Sequence, residues 1–125
     1  MIILNNDLYE FETECSVVKL DNGLLIVDYP KENNKHKIHF HAKGPRFDII
    51  SEALEEATFI NHITGKPFVR TSILYRNIFL SAINNLQFSE ELNLDPIIIN
   101  QVDINKLNYN LIKLVCKEWI KTVIW

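Results

Sequence analysis

The sequence predicts a single α+β domain over residues 1–125, with a β-rich half (1–44) followed by a helical half (45–125). Alternating hydrophobicity near the N-terminus, an Asn-Gly pair between two apolar runs, and a change to helical periodicity after residue 45 indicate this fold class. The chain has 125 residues, of which 47% are hydrophobic and 23% charged, as in a globular domain with one core. We therefore expect an antiparallel meander of about four strands packed against about three helices.

The first half is predicted to consist of strands joined by tight turns. Over residues 9–14, glutamates alternate with Tyr, Phe and Thr, which is typical of a strand with one face in water. Asn22 and Gly23 tolerate the positive φ that a type I′ turn requires. Residues 15–20 and 24–29 should therefore pair as an antiparallel hairpin.

The second half is predicted to contain three helices. The run IISEALEEATFI, with Asp48 as its cap, places its apolar residues on one face. After the break at HITGKP, a more apolar run over residues 69–86 predicts a central helix that is buried on most sides. QFSEELNLDP predicts a loop, and the last helix should begin near Asp103 and continue to about Lys121.

The stretch KHKIHFHAKG, residues 35–44, concentrates basic side chains on a strand predicted near residues 36–42. Alternate side chains on a strand share a face, so one face is basic and the other is apolar. The basic set is Lys37, His39 and His41, the apolar set is Ile38, Phe40 and Ala42, and the acidic set on the first strand is Glu10, Glu12 and Glu14. We expect the basic and acidic sets to face each other in one sheet, because opposite charges on neighbouring strands contribute roughly 0.2–1 kcal/mol per pair.

A metal site and an anion or nucleic-acid site are two functional alternatives for this stretch. His39 and His41 could ligate one ion, and His36 or His62 could supply a third nitrogen. No Cys, Asp or Glu is fixed near this HxH pattern and the adjacent lysines repel a cation, so no metal and no cofactor is predicted. Four bases could follow a phosphate backbone: Lys35, Lys37, Lys43 and Arg46. Acidic segments flank these bases and the sequence offers no larger basic surface, so we do not expect a nucleic-acid partner.

Motifs of catalysis are missing from the sequence. There is no GxSxG, P-loop or GxGxxG pattern, and the chain has only three glycines. Glu52, Glu55 and Glu56 have the spacing of a solvent-facing helix surface. Cys15 and Cys116 form neither a disulfide framework nor a CxxC pair, and nothing in the sequence brings Cys15 to a histidine base. We therefore expect a non-enzymatic protein with reduced thiols.

Large apolar residues near the C-terminus indicate contacts with a partner protein. The final VIW must be covered, either by the core of this chain or by a partner, for which Trp is a favoured anchor. The loop before DPIII also carries more apolar residues than a free loop needs. The candidate partner-binding residues are Phe88, Leu92, Leu94, Trp119 and Trp125.

The C-terminal half, from RTSILYRNIFLSAINNL through NLDPIIINQVDINKLNYNLIKLVCKEWI, contains an apolar helix, a loop with Pro96 and a short Ile run, and a capped DINKL that opens a terminal helix. This layout, over residues 65–121, resembles that of small accessory proteins of tailed bacteriophages, including tail-assembly chaperones. The resemblance implies a non-enzymatic role in building or completing a virion, through contacts with other phage or host proteins. The β-rich N-terminal half departs from this layout.

The predicted function is therefore protein–protein interaction, as a small phage structural or tail and virion assembly factor, acting alone or as a homo-oligomer. An alternative is a small immunity or anti-defence inhibitor that binds and blocks an enzyme, because small size, acidic edges and missing catalytic residues fit it equally well. A second alternative is a metal- or nucleic-acid-binding module centred on His39, His41 and Lys43. No signal peptide and no membrane span of roughly 18 apolar residues is present, so we expect a location in the host cytoplasm or the virion.

Overall fold

A computed structural model of the chain describes residues 2–3, 8–21, 24–44 and 46–124. Within these residues it contains an antiparallel sheet of six strands, a separate two-stranded hairpin and three α-helices. The predicted α+β class, with strands in the N-terminal part and a C-terminal helix, is confirmed. None of the helices in this described part is long and apolar enough to cross a membrane.

Two long neighbouring strands form the centre of the sheet. The strands are β1 (Ile2–Ile3), β2 (Leu8–Asp21), β3 (Leu24–Asp28), β4 (His36–Lys43), β5 (Thr58–Ile60), β6 (Pro67–Val69), β7 (Ile83–Phe88) and β8 (Ile97–Ile98). The main sheet has the order β1-β2-β4-β7-β8 with every pair antiparallel, and β3 pairs with the second half of β2. β5 and β6 pair with each other in a sheet of their own.

β2 is one strand of 14 residues, whereas the sequence suggested two successive strands. The predicted pairing of residues 15–20 with 24–29 is confirmed by the antiparallel register of β2 and β3. The predicted turn at Asn22 and Gly23 lies outside the described residues. The polar loop before β4 is fixed to β2 through the side chain of Asn34, which accepts a hydrogen bond from the Val17 N–H (3.1 Å) and donates one to the Val17 carbonyl (2.9 Å).

The first helix, α1 (Phe47–Ala57), is shorter than the apolar run predicted. Asp48 is not its cap, so that prediction is wrong: Asp48 lies in the first turn and forms two hydrogen bonds with the Arg46 guanidinium, at 3.1 and 2.6 Å. This guanidinium holds the pKa of the Asp48 carboxyl below its usual range. The residues after Ala57 turn into an extended backbone and form β5.

The apolar run over residues 69–86 forms a helix and a strand rather than the single helix predicted. α2 spans Thr71–Ala82, and the backbone becomes extended at Ile83, where ψ is 129°. Two asparagines with weak helix propensity follow, and Leu86 then lies opposite Phe40 in the sheet, where both side chains are buried. Only one side of α2 is buried, so the expectation of a helix covered on most sides is wrong; its buried residues are Ile78, Phe79 and Ala82.

The last helix begins later than predicted. Asp103 caps only a 3-10 turn, Ile104–Lys106, by accepting a hydrogen bond from the Asn105 N–H at 3.0 Å. The helix itself, α3, spans Tyr109–Ile124 and so extends beyond Lys121. The segment QFSEELNLDP, predicted as a loop, contains the end of β7 and one 3-10 turn.

The core lies between one face of the main sheet and the inner sides of the helices. The apolar side chains of β4 are buried as predicted, and the Phe40 ring stacks on Phe11 with 5.1 Å between ring centroids. α3 is attached to β3 by Asn108, whose side-chain oxygen accepts a hydrogen bond from the Val27 N–H at 3.2 Å. The same helix buries Trp119 against the sheet side of the core.

Both cysteines are buried free thiols in this core. The Cys116 thiol donates a hydrogen bond to the Tyr75 carbonyl at 3.2 Å. Burial raises the pKa of both thiols, that of Cys15 to about 11. Because the thiolate is the nucleophilic form, neither side chain has the reactivity that thiol catalysis requires at neutral pH.

Candidate functional site

The basic face of β4 lies across from the acidic face of β2, as the sequence predicted. The register pairs Glu10 with His41, Glu12 with His39, and Glu14 with Lys37. Lys37 Nζ lies 3.2 Å from the Glu12 carboxylate, and His39 Nδ1 lies 3.7 Å from Glu12 and 3.8 Å from Glu10. These side chains are all more than a third exposed, so each contact contributes at most about 1 kcal/mol. The face is a charged ladder that fixes the strand register.

The histidines of the basic strand do not converge on one point. His41 Nδ1 lies 2.8 Å from the Asn85 side-chain oxygen on β7, and His36 Nδ1 lies 3.0 Å from the Glu91 carboxylate. His62 lies in the loop between β5 and β6, on a different element. In the part of the chain that the structure describes, no group of three or more His, Cys, Asp or Glu side chains is placed to hold a metal ion.

The four bases proposed for anion binding do not form a cluster. Lys37 contacts a glutamate of β2, and Arg46 is engaged by the Asp48 carboxylate. Lys35 and Lys43 lie at opposite ends of β4, about 26 Å apart at ~3.3 Å per residue. A phosphate group could therefore not contact these side chains together.

The five proposed partner-binding residues occupy different environments. Trp119 is fully buried, and its indole N–H donates a hydrogen bond to the Lys43 carbonyl at 2.9 Å. The alternative that this part of the chain covers itself therefore holds for Trp119, which has no surface to offer a partner. Phe88, Leu92 and Leu94 are half-buried, with Phe88 packed against the core. Trp125 lies outside the described residues.

A pair of lysines on α3 surrounds an exposed tyrosine at the end of β3. Lys113 Nζ and Lys117 Nζ lie 5.6 and 5.7 Å from the centre of the Tyr29 ring. Hydrogen bonding from Lys113, with a further contribution from Lys117, lowers the pKa of the Tyr29 hydroxyl. The adjacent cleft, about 420 Å³, also contains Glu12, Glu14, Glu118 and Lys121, so its mixed charges favour no particular ligand.

The main exposed apolar feature is a hairpin that the sequence reasoning missed, consisting of β5, β6 and the loop between them (residues 58–69). The sequence predicts β5 as the end of the first helix, because its residues continue the helical spacing of α1, whereas Pro67 lies in the predicted break HITGKP and only Val69 of β6 lies in the second predicted helix. β-branched and aromatic residues on both sides of an Asn and a Gly were the available signal for a hairpin. Each strand is only three residues long, which is short for such a pattern.

The loop of this hairpin has a defined conformation. The side-chain oxygen of Asn61 accepts hydrogen bonds from the N–H groups of Ile63 (2.8 Å) and Thr64 (3.1 Å). Gly65 adopts a left-handed φ of 70°, and its N–H donates to the Asn61 carbonyl at 2.7 Å. Asn61 therefore presents Ile63 at the tip of the hairpin in a fixed position.

One face of the hairpin carries two aromatic rings, of which that of Phe68 stays 41% exposed. The Phe59 and Phe68 rings pack with 6.1 Å between centroids, and the Arg70 guanidinium lies 4.4 Å from the centre of the Phe59 ring. Alternation along the strands places Ile60 and Val69 on the other face. That face is open.

The open face and the tip expose a set of branched apolar side chains. The exposed fraction is 62% for Ile60, 95% for Ile63 and 40% for Val69. Lys66 in the loop adds one positive charge, whereas Arg70 lies over the Phe59 ring on the other face. No Asp or Glu occurs between residues 58 and 70. We call Ile60, Ile63, Lys66 and Val69 the hairpin surface.

No protein-family model, no curated protein and no solved structure matches this chain. The fold defines an α+β protein in which helices cover one face of an antiparallel sheet, and the described residues bring together no group of three or more side chains that could hold a metal ion. The hairpin surface is an exposed apolar feature that the internal contacts of the fold leave unexplained.

Proposed function

We propose that the protein is a non-enzymatic protein-binding factor in the assembly of a phage particle, and that it binds through the hairpin surface. The exposure of Ile63 at the tip carries this proposal. Two-stranded hairpins have marginal stability on their own, and clustered exposed apolar side chains on a soluble protein mark interaction sites. Contact with a partner would remove these side chains from water.

Support for the phage role comes from the organisation of the C-terminal half. The segment whose layout resembles small accessory proteins of tailed phages contains α2 and α3, joined by β7, β8 and short 3-10 turns. α3 carries the largest buried side chain of the core, Trp119. In the proposed role this half provides the rigid base from which the hairpin projects.

A second candidate function is inhibition of an enzyme, as an immunity or anti-defence protein. The narrow hairpin, with one branched side chain at its tip and two nearby cations, has a suitable shape to enter a concave acidic site. A phage assembly contact and an enzyme cleft would use the same residues. The identity of the partner separates the two functions.

Affinity capture from infected native cells tests the proposal. A tagged copy of the protein would be recovered and its bound proteins identified by mass spectrometry. Recovery of a capsid, portal or tail protein that is lost from an Ile63→Asp bait would support the assembly role. Recovery of one host enzyme or toxin would instead establish the inhibitor role, and recovery of nucleic acid without protein would contradict both.

A further inference from the structure

The hairpin surface and α1 have opposite charges although they are consecutive in the chain. The hairpin surface carries Lys66, Arg70 lies over the Phe59 ring on the other face of the hairpin, and no acidic residue occurs between positions 58 and 70. α1 contains no basic residue. Its acidic residues are Asp48, Glu52, Glu55 and Glu56.

α1 also exposes apolar side chains beside its glutamates. At 100° per residue, Phe47 and Leu54 lie about 20° apart around the helix axis, and Glu55 lies about 80–100° further round the axis, away from the buried side. Phe47 is 72% exposed and Leu54 is 41% exposed. The exposed surface of α1 therefore has an apolar stripe with carboxylates on one side of it.

We propose that two copies of the chain associate about a two-fold axis, with the hairpin surface of each copy on the outer side of α1 of the other. Both surfaces are uncovered within one chain, and each would bury apolar side chains while Lys66 pairs with a glutamate of α1. The contact occurs twice in such a dimer, because a two-fold interface uses the same surfaces on both subunits.

The contact is made by side chains rather than by addition of a strand. Backbone hydrogen bonds join Arg70 to Ala57 and Asn61 to Lys66. Hydrogen-bonded and non-hydrogen-bonded pairs alternate along an antiparallel ladder, so Pro67, opposite Ile60, is in a non-hydrogen-bonded pair and its backbone groups point away from β5. Proline has no N–H to donate, and an edge strand that carries it is protected against pairing with another strand. The outer edge of β6 is therefore poorly suited to extend the sheet.

The proposal uses the same hairpin as the proposed function, but it is tested with the pure full-length protein and can fail independently of partner capture. Sedimentation velocity over about 1–200 μM protein should show a monomer–dimer equilibrium. The dissociation constant should rise with salt, because part of the attraction is between exposed charges. A monomer at every concentration would overturn the proposal.

Substitutions locate the interface. Ile63→Asp should weaken dimerisation at least about tenfold, because it places a charge in the apolar contact. Its side chain is almost entirely exposed, so the circular dichroism spectrum and the melting temperature of the monomer should not change. Leu80→Asp is the matched control, since Leu80 is an exposed apolar residue of α2 outside the proposed interface. Equal effects of the two variants would overturn the assignment.

Charge reversal tests the pairing of the two surfaces. Lys66→Glu and Glu55→Lys should each weaken the dimer, and the combined variant should recover a measurable part of the lost affinity. A double variant that is weaker than both single variants would overturn the proposed arrangement. The second copy and the partner would compete for the hairpin surface. The failure of this dimer and the failure of partner binding are nevertheless distinguishable, because sedimentation uses the pure protein without a partner, whereas affinity capture identifies the partner itself.

Discussion

Replacement of Trp119 by Phe should destabilise the protein without removing any surface contact. The side chain is fully buried, and its indole N–H donates to the Lys43 carbonyl at 2.9 Å. This hydrogen bond joins α3 to the end of β4. Phenylalanine retains an aromatic ring at this position, but it cannot donate the hydrogen bond and it leaves a void where the second indole ring lies.

Two contributions determine the size of this effect. Loss of this part-buried hydrogen bond costs about 0.5–1.5 kcal/mol. The missing atoms leave a void of about 40 Å³, which costs about 1 kcal/mol at ~24 cal/mol per Å³. The free energy of unfolding should therefore fall by about 1.5–2.5 kcal/mol. With a urea m-value of about 1.5 kcal/mol/M, the midpoint of unfolding should fall by about 1–2 M.

Urea unfolding followed by circular dichroism at 222 nm provides the assay. Tyr109→Phe is a suitable control, because Tyr109 is an exposed aromatic residue of the same helix and its change should alter the free energy of unfolding by less than about 0.5 kcal/mol. A Trp119→Phe protein as stable as the control would refute the assignment of Trp119 to the core. It would restore the hypothesis that this residue contacts a partner.

Three further outcomes are expected. Cys15 and Cys116 should not react with a thiol reagent at pH 7 until the protein is unfolded in urea, because both thiols are buried and their pKa values are raised. Rapid labelling of the folded protein would contradict this expectation. Gly44→Ala should lower the free energy of unfolding by about 1–3 kcal/mol, because a Cβ there would lie 2.5 Å from the Tyr9 ring. This loss should be smaller in a Tyr9→Ala background, and equal losses in both backgrounds would exclude this contact as the cause. Lys37→Glu should lower the free energy of unfolding by about 0.2–1 kcal/mol at low salt, because residue 37 faces carboxylates on β2. The loss should be smaller in about 1 M salt, and an unchanged loss at high salt would argue against a charge interaction.

Side-chain alternation made the central part of the sheet predictable. On β2 and β4 the apolar set of each strand had to face the core, since a shift of one residue would bury the charged set. The acidic and basic sets then had to lie on the same outer face. The register that pairs Glu12 with His39 follows this expectation.

The division of the run over residues 69–86 could not be predicted from local periodicity. Its apolar residues have helical spacing throughout, and the change to β7 depends on pairing with β4, which is distant in the sequence. Leu86 is buried in the sheet opposite Phe40, so tertiary contacts override the local helical pattern. Local periodicity also failed to predict the hairpin of β5 and β6, because its two strands have only three residues each and lie between two helices.

Residue type alone did not separate the core from the surface at the C-terminal end. Trp is favoured in both environments, and the sequence near Trp119 is compatible with each. Its burial depends on the position of α3 against the end of β4, which the spacing of apolar residues on the helix does not determine. In contrast, Ile63 lies in the predicted break HITGKP, where side chains are generally exposed, but its position at the tip of a hairpin could be recognised only once β5 and β6 were known.

The central claim is that the hairpin surface binds a protein partner and that the histidine-rich face of β4 does not. The most direct measurement compares the amount of phage structural protein captured by wild-type, Ile63→Asp, and combined His39→Ala and His41→Ala baits at equal concentration. We expect the Ile63→Asp bait to lose the partner and the histidine variant to retain it at the wild-type level. Loss of the partner with the histidine variant and its retention with Ile63→Asp would contradict the account and place the binding site on the sheet.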